Sequence, residues 1–129
     1  MTTDLTMLAW VAAITALMWL PYIVARVMAS GLMNTLTYMA DDEPLPDWAK
    51  RAKRAHYNAV ENLAPFGAVV LVAHLAGAAN GTTATWATIY FWARLLHYVG
   101  HTAGIPFART ILFAIGWLAI MIIFLQIVT

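Results

Sequence analysis

Long apolar segments, separated by short polar stretches, divide the chain into four predicted helices. Residues Leu5–Ala25 carry no charge, and a second helical pattern, Trp48–Gly77, begins basic and becomes wholly apolar. A membrane-spanning helix needs roughly 20 residues, so the second helix must begin among its polar residues if it crosses a bilayer. Two further apolar patterns follow the turn signals in Gly77–Thr82 and Gly104–Pro106. Hydrophobic periodicity therefore predicts spans at about 5–28, 48–77, 83–103 and 106–128.

The most polar connection is predicted between the first two spans, at Tyr38–Asp47. It contains the acidic run 41–43 followed by prolines, which stop a helix from propagating. Asp47 is then expected to cap the N-terminus of the second helix. Pro65 lies inside that helix, where a proline frees the carbonyl of Glu61 and is expected to bend the helix axis.

Composition agrees with a membrane protein of one domain, residues 1–129. The chain is 63% hydrophobic and only 10% charged, unlike an ordinary soluble domain. A cleaved signal peptide is the competing interpretation of the first segment, but no basic region precedes that segment and Arg26 follows it. Short connections between four spans predict an all-α, up-and-down four-helix membrane bundle.

Charge predicts the orientation of this bundle. The formal net charge is only +1 and basic residues are scattered, so no nucleic-acid partner is expected. In the predicted topology every basic residue lies on one side of the membrane, namely Arg26, Lys50, Arg51, Lys53, Arg54, Arg94 and Arg109. The positive-inside rule makes that side cytoplasmic and puts both termini on the opposite side. Of these residues, Lys50 and Lys53 are best explained by contact with anionic membrane lipids.

Polar residues recur at helical spacing on two of the predicted helices. On the second helix, one face carries Arg51, Arg54, Asn58, Glu61 and Pro65. On the third helix, one face carries Arg94, His97 and His101. Arg26 and Arg109 enter the same half of the membrane. Because guanidinium groups bind carboxylates bidentately, this pattern predicts a pocket for an anionic ligand from the cytoplasm, with an apolar second substrate from the bilayer.

Some of these polar residues can also be explained by roles in folding or metal binding rather than in binding an anionic ligand. Glu61 fits equally well as the partner of Arg94 or Arg54 in a buried ion pair. His97 and His101 are spaced for metal ligation, but no third ligand lies in obvious register, so no metal is expected. The chain contains no cysteine, which excludes disulfides and a protein thiol nucleophile. Any thiol chemistry therefore requires a ligand that supplies the sulfur.

The polar segments resemble motifs of the MAPEG family, the membrane-associated proteins in eicosanoid and glutathione metabolism. Residues 54–66, RAHYNAVENLAPF, resemble the family signature R-A-x-x-N-x-x-E-x-x-x-P-F. Residues 94–101, RLLHYVGH, are similar to its second pattern, an arginine followed by aromatic or histidine residues three and seven positions later. Arg109 matches a basic residue at the start of the fourth helix. Chain length and the four-span layout agree, so the resemblance covers the whole chain.

The resemblance implies a homotrimer with active sites between neighbouring subunits. Enzymes of the family bind glutathione as a co-substrate and act on lipophilic electrophiles or peroxides. By resemblance, Arg109 stabilises the glutathione thiolate, since a free thiol has a pKa of ~8.5 and a guanidinium favours the ionised form. The implied glutathione-binding residues are Arg26, Arg51, Arg54, Asn58, Glu61, Arg94, His97 and His101. Among them, Glu61 suits the ammonium group and Asn58 the peptide groups.

One position departs from the family pattern. His101 stands where the family more often has tyrosine, and Thr110 is a candidate to supply the hydroxyl instead. The family also includes noncatalytic members. Two functions are therefore expected: a glutathione-dependent membrane transferase or peroxidase or, as the alternative, a noncatalytic lipid-binding or structural subunit of a larger membrane complex.

Overall fold

The computed structural model describes residues 1–39 and 44–129, and every regular element within these two ranges is a helix. In chain order the helices are α1 (Thr3–Leu17), α2 (Leu20–Ser30), α3 (Leu32–Leu36), α4 (Asp47–Leu75), α5 (Gly81–Ala103) and α6 (Ala108–Val128). The prediction of an all-α protein is confirmed. The acidic run 41–43 of the predicted polar loop lies outside the described residues.

The first predicted span is two helices rather than one. α1 ends at Leu17 and α2 begins at Leu20, with Pro21 in the first turn of α2. A proline has no N–H group to bond the carbonyl four residues earlier, here that of Leu17, so the helical ladder is interrupted. The hydroxyl of Tyr98 on α5 donates to the carbonyl of Met18, between the two helices, at 2.9 Å. The short helix α3 was not predicted.

Three helical segments of the described chain are long and apolar enough to cross a membrane: Thr3–Ser30, Asp47–Leu75 and Ala108–Val128. The first of these comprises α1 and α2 together. α5 has 23 residues and a length of about 34 Å, comparable with a hydrocarbon core of roughly 30 Å. It differs from the other three because its C-terminal half carries the predicted polar face.

α5 lies at the centre of the packing and contacts α1, α4 and α6. The main core consists of Val11, Phe66, Val70, Ala73, Ala87, Tyr90, Ala119, Ile120 and Ile123. In this core the rings of Phe66 and Tyr90 stack with their centroids 3.8 Å apart. A smaller cluster of Tyr22, Ala25, Ala49 and Ala52 holds α2 against the start of α4. These two clusters hold α2 and the polar faces of α4 and α5 at the same end of the molecule.

Hydrogen bonds tie the helices together at the other end. Asn80 caps α5 in a reciprocal capping box with Thr83. The Thr83 hydroxyl also lies 2.5 Å from a carboxylate oxygen of Asp4, which is buried in α1. The Asn80 side chain donates to the side-chain oxygen of Gln126 at 2.8 Å. α1, α5 and α6 are therefore joined by side chains at the end that lies away from the arginines.

Two predictions about α4 concerned its N-terminal cap and the effect of Pro65 in its middle. Asp47 was expected to be the N-cap, but it is the first helical residue, and Pro46 precedes it as the cap. At this position the carboxylate of Asp47 lies in the first turn, where the helix dipole favours negative charge. α4 also continues through Pro65 without ending. The helix thus carries its polar and apolar halves as one continuous element.

Candidate functional site

The polar faces of α4 and α5 meet at Asn58 and Arg94. The guanidinium of Arg94 donates through Nη2 to Oδ1 of Asn58 at 2.6 Å, although Arg94 is only 2% exposed. The amide of Asn62 donates to the backbone carbonyl of Asn58 at 2.8 Å and more weakly to its Oδ1 at 3.4 Å. Asn58 is therefore held as the acceptor that Arg94 requires, and the predicted proximity of these two faces is observed.

Glu61 does not form the ion pair considered as an alternative. Its side chain is exposed on the surface of α4, and it pairs with no cation in the described ranges. Arg94 bonds to Asn58 instead. A carboxylate exposed on a membrane helix is costly unless another group covers it. Glu61 is consequently available to a ligand or to a second protein surface.

Two adjoining cavities lie among α4, the end of α5 and the start of α6. The first has a volume of about 290 Å³ and is lined by Arg51, Arg54, His101, Gly104, Ile105, Pro106, Phe107 and Arg109. The second has a volume of about 370 Å³ and is lined by Arg54, Asn58, His97, His101, Arg109, Thr110 and Phe113. Because the two cavities share Arg54, His101 and Arg109, we treat them as one site and call it the basic pocket.

Arg51 is fixed against the end of α5. Gly104 terminates that helix with a φ of +74°, in the left-handed region that favours glycine. A Cβ at Gly104 would lie 3.2 Å from Cζ of Arg51, so the guanidinium packs where a side chain would otherwise be. Nε of Arg51 also donates to the backbone carbonyl of Thr102 at 3.1 Å. Glycine at 104 therefore suits both the left-handed turn and the position of the Arg51 guanidinium.

The start of α6 supplies the other cation and an apolar wall. α6 begins at Ala108, so Arg109 lies in its first turn, as predicted. Phe107 precedes it with a φ of +67°, which is unusual for a residue with a side chain. Arg54 and Arg109 are both exposed and form no hydrogen bond or ion pair with any described residue. Both guanidiniums are thus available to an anion in the basic pocket.

The two histidines line the inner side of the pocket. The rings of His97 and His101 meet edge to face with centroids 5.6 Å apart, and His97 is buried. No cluster of three or more histidine, cysteine, aspartate or glutamate side chains suited to a metal occurs within residues 1–39 and 44–129. His97, His101 and Asn58 line the second cavity, and Nδ1 of each histidine is buried without a hydrogen-bond partner among the described residues.

Arg26 lies outside the basic pocket of the single chain. It lines a separate cleft of about 280 Å³ with Lys50, Lys53 and Tyr57, and Arg54 borders both spaces. Nζ of Lys53 lies 5.7 Å from the ring centroid of Tyr57, within cation–π range. The predicted cations therefore do not all converge on one pocket. They line two neighbouring spaces, the basic pocket and this cleft, which share Arg54.

Several lining residues were not predicted. Gly104, Phe107 and Phe113 border the basic pocket beside the predicted arginines. The position of Phe113, one helical turn after Arg109, was a usable signal because such residues share a face. A further unpredicted contact joins Tyr22 to His56, with the hydroxyl 2.7 Å from Nδ1, and holds α2 against α4.

Comparison with protein-family models identifies the family of this chain, which the geometry of the site alone does not. The model of the MAPEG family matches residues 6–129, essentially the whole chain. The comparisons with curated proteins and with solved structures return no match. The family includes glutathione transferases and peroxidases as well as noncatalytic members. Three apolar helices and this match together indicate an integral membrane protein. The chain belongs to the MAPEG family.

Proposed function

We propose that the protein is a glutathione-dependent membrane transferase or peroxidase that acts on lipophilic electrophiles or hydroperoxides. The observation that carries this proposal is the basic pocket, where the unpaired guanidiniums of Arg54 and Arg109 face a space beside Asn58 and two histidines. Glutathione is a small anion with two carboxylates and one ammonium group. Cationic side chains without a protein partner favour an anionic ligand of this kind over a neutral ligand.

The size and lining of the pocket support this assignment. Its two parts of about 290 and 370 Å³ together fall within the roughly 300–1,000 Å³ typical of small-molecule sites. In this proposal Arg51 and Arg54, which line the pocket, bind the carboxylates of glutathione, and Asn58 bonds one of its peptide groups. Phe107 and Phe113 provide apolar contact for a lipophilic co-substrate that enters from the bilayer. The basic pocket therefore offers a polar surface to glutathione and an adjacent apolar surface to the lipophilic co-substrate.

In the proposed reaction Arg109 acts as the thiolate stabiliser. Its guanidinium places positive charge beside a bound sulfur and favours the ionised, nucleophilic form, with Thr110 next to it as a hydroxyl donor. The thiolate attacks an electrophilic carbon and forms a C–S bond as the leaving group departs. With a hydroperoxide the thiolate attacks the terminal peroxide oxygen and the O–O bond breaks. The alkoxide takes up the proton that the thiol released and leaves as the alcohol, and a second glutathione converts the sulfenic acid to the disulfide and water.

We further propose four membrane spans and a homotrimer, with the basic end in the cytoplasm. α5 is long enough to be the fourth span, and all seven basic residues lie toward one end of the helices. Exposed Glu61 and the separate cleft at Arg26 support a site completed between copies. In such an assembly, Glu61 gains cover and Arg26 of a neighbouring copy faces the pocket.

Calorimetric titration of glutathione into the detergent-purified protein tests the proposal. We expect binding to the wild type, at least tenfold weaker binding to Arg54→Leu and Glu61→Gln, and unchanged binding to Asp47→Asn. Asp47 is a matched acidic control because it lies in the first turn of the same helix. Absence of binding to the wild type, or equal binding to all variants, contradicts the glutathione site.

A noncatalytic, lipid-binding role is the second candidate, and one observation favours it. His101 puts an imidazole where the family more often has a tyrosine hydroxyl; its ring meets that of His97 edge to face, and its Nδ1 forms no hydrogen bond with any described residue. This role predicts no turnover with 1-chloro-2,4-dinitrobenzene or cumene hydroperoxide, together with copurified phospholipid. Turnover that is lost in Arg109→Leu excludes it.

A further inference from the structure

The short helix α3 and the residues beside it expose an unusual amount of apolar surface. α3 packs mainly against α2. Large apolar side chains in this part of the chain are more than half exposed, namely Met28, Leu32, Met33, Leu36, Tyr38 and Met39. We call these six residues the α3 patch. Exposed apolar side chains concentrated in this way mark a surface that contacts a membrane or another protein.

The α3 patch begins where the first membrane span ends. α1 and α2 form the apolar segment Thr3–Ser30, which is 28 residues long. At the helical rise this segment reaches about 42 Å, the thickness of a bilayer with its headgroups. Gly31 then separates α3 from α2 with a φ of +87°, a conformation that favours glycine. α3 therefore starts at the membrane surface, at the end of the molecule that carries the basic residues.

The polar side chains of α3 and its C-cap are bonded within the segment itself. Asn34, Thr35 and Thr37 each donate to the backbone carbonyl four residues earlier, at distances of 2.7–3.0 Å. Residues 27–40 contain no charge. Side chains that satisfy their own backbone reduce the cost of moving a helix out of water. The segment therefore suits a poorly hydrated surface better than bulk water.

Two lysines of α4 lie beside this segment. Lys50 and Lys53 line the cleft described above, and Lys53 also lines an adjoining cavity of about 340 Å³ that includes Thr35 next to α3 residue Asn34. Neither lysine forms an ion pair with a residue in the described ranges. Cations beside an exposed apolar helix are the pattern of a segment that lies on anionic lipid, whereas an apolar patch alone fits a protein partner equally well.

We propose that α3 lies in the interfacial layer of the membrane and that the cleft at Lys50 and Lys53 binds the headgroup of an anionic phospholipid in the same leaflet. The acyl chains of the lipid cover the α3 patch, and its phosphate meets the two ammonium groups. Lipid contact thereby fixes α3, and through it the end of α2, against the start of α4. Neither lysine lines the basic pocket, so this role does not depend on glutathione.

Spin labels on introduced cysteines test the position of α3, because the chain has no cysteine of its own. The protein is placed in nanodiscs of phosphatidylcholine and phosphatidylglycerol. Each label then reports its collisions with oxygen, which concentrates in the bilayer, and with a nickel chelate, which stays in water. We expect the oxygen-to-nickel ratio at Met33→Cys and Leu36→Cys to be at least threefold higher than at the control Asp47→Cys, an exposed position at the same end.

Two results of this experiment overturn the proposal. A ratio equal to that of the control places the α3 patch in water. Protection of both α3 labels from oxygen and nickel alike shows that a second copy or another protein covers the patch.

Native mass spectrometry of protein released from the same nanodiscs tests the headgroup site. We expect the wild type to retain at least fivefold more phosphatidylglycerol than phosphatidylcholine, and Lys50→Gln/Lys53→Gln to lose most of this preference. Arg109→Gln, which removes a cation elsewhere at the same end, is expected to keep it. No preference in the wild type, or equal losses in the two variants, overturns the proposal.

Two further measurements separate this site from other anion sites. Glycerol 1-phosphate carries the same phosphate without acyl chains and is expected not to displace the lipid; displacement shows a site for free phosphate and overturns the proposal. Glutathione titration of Lys50→Gln/Lys53→Gln is expected to match the wild type. A tenfold loss of glutathione affinity assigns the lysines to the glutathione site instead and also overturns the proposal.

Discussion

The guanidinium of Arg94 reaches Oδ1 of Asn58 at 2.6 Å and thereby joins α5 to α4 in the interior of the protein. This bond links the two helix faces that carry most of the basic pocket. Asn58 also accepts from Asn62, so its oxygen is held in place by two donors. The arrangement makes a neutral amide responsible for positioning a buried cation.

Replacing Asn58 by alanine is expected to lower the free energy of unfolding by about 3 kcal/mol. The change removes the bonded acceptor of a buried guanidinium, and such losses cost more than a neutral hydrogen bond. Urea or SDS unfolding of the purified protein measures the loss. Asn62→Ala serves as the control and is expected to cost about 1 kcal/mol, because its main bond is to the backbone of the same helix. Equal losses in the two variants contradict this role.

Replacing Gly104 by alanine is expected to destabilise the protein by about 2 kcal/mol and to weaken glutathione binding. The backbone strain of a left-handed residue costs about 1 kcal/mol. The new Cβ also meets Arg51 at 3.2 Å, so the guanidinium must shift by a few tenths of an ångström within the pocket. Thermal unfolding and calorimetric titration measure the two effects.

Gly77→Ala is the matched control for that prediction. Gly77 has a φ of +70° but open space around its Cβ position, so the substitution brings the strain without a collision. It is expected to cost about 1 kcal/mol and to leave binding unchanged. Equal losses of binding in both variants show that the contact with Arg51 is not the cause.

Replacing Asp4 by leucine is expected to lower the free energy of unfolding by about 2 kcal/mol. The carboxylate is buried and lies 2.5 Å from the Thr83 hydroxyl, which loses this acceptor. Asp4→Asn retains a side-chain oxygen and is expected to recover more than half of the loss. Glutathione affinity stays constant in both variants, because Asp4 lies at the end opposite the basic pocket. A tenfold change in affinity contradicts this separation of the two ends.

Replacing Phe107 by glycine is expected to leave stability unchanged or to raise it by about 1 kcal/mol. The φ of +67° strains a residue with a side chain, and glycine adopts that conformation freely. The phenyl ring is also removed from the wall of the pocket. Turnover assays are therefore expected to show a raised KM for lipophilic electrophiles with little change in glutathione affinity. A large loss of stability shows that the ring, rather than the backbone, governs this position.

Much of the helical organisation followed from periodicity, because long apolar runs and turn residues are local signals. The predicted third and fourth spans correspond to α5 and α6, and both helices begin within two residues of the predicted positions. The division of the first span was missed although Pro21 marks it, since an uninterrupted apolar run dominated the pattern. α3 was missed because five residues carry too little periodicity to detect.

The candidate site was partly predictable for a similar reason. Spacing by three and four residues places polar side chains on one face, which correctly joined Arg54 to Asn58 and His97 to His101. It does not determine which faces meet, so the partner of Arg94 and the separate location of Arg26 required tertiary structure. The left-handed backbone of Phe107 has no sequence signal of the kind that glycine provides at Gly104.

The two turns that flank α5 differ in how much alteration they tolerate. At 76–80 the backbone is exposed or half-exposed and Gly77 has no neighbour near its Cβ position. At 104–107 the chain touches Arg51 and forms a wall of the pocket. Epitope tags, fluorescent reporters and crystallisation partners are therefore best inserted at the first turn. Insertions at the second turn are expected to disturb the basic pocket even when they are short and hydrophilic.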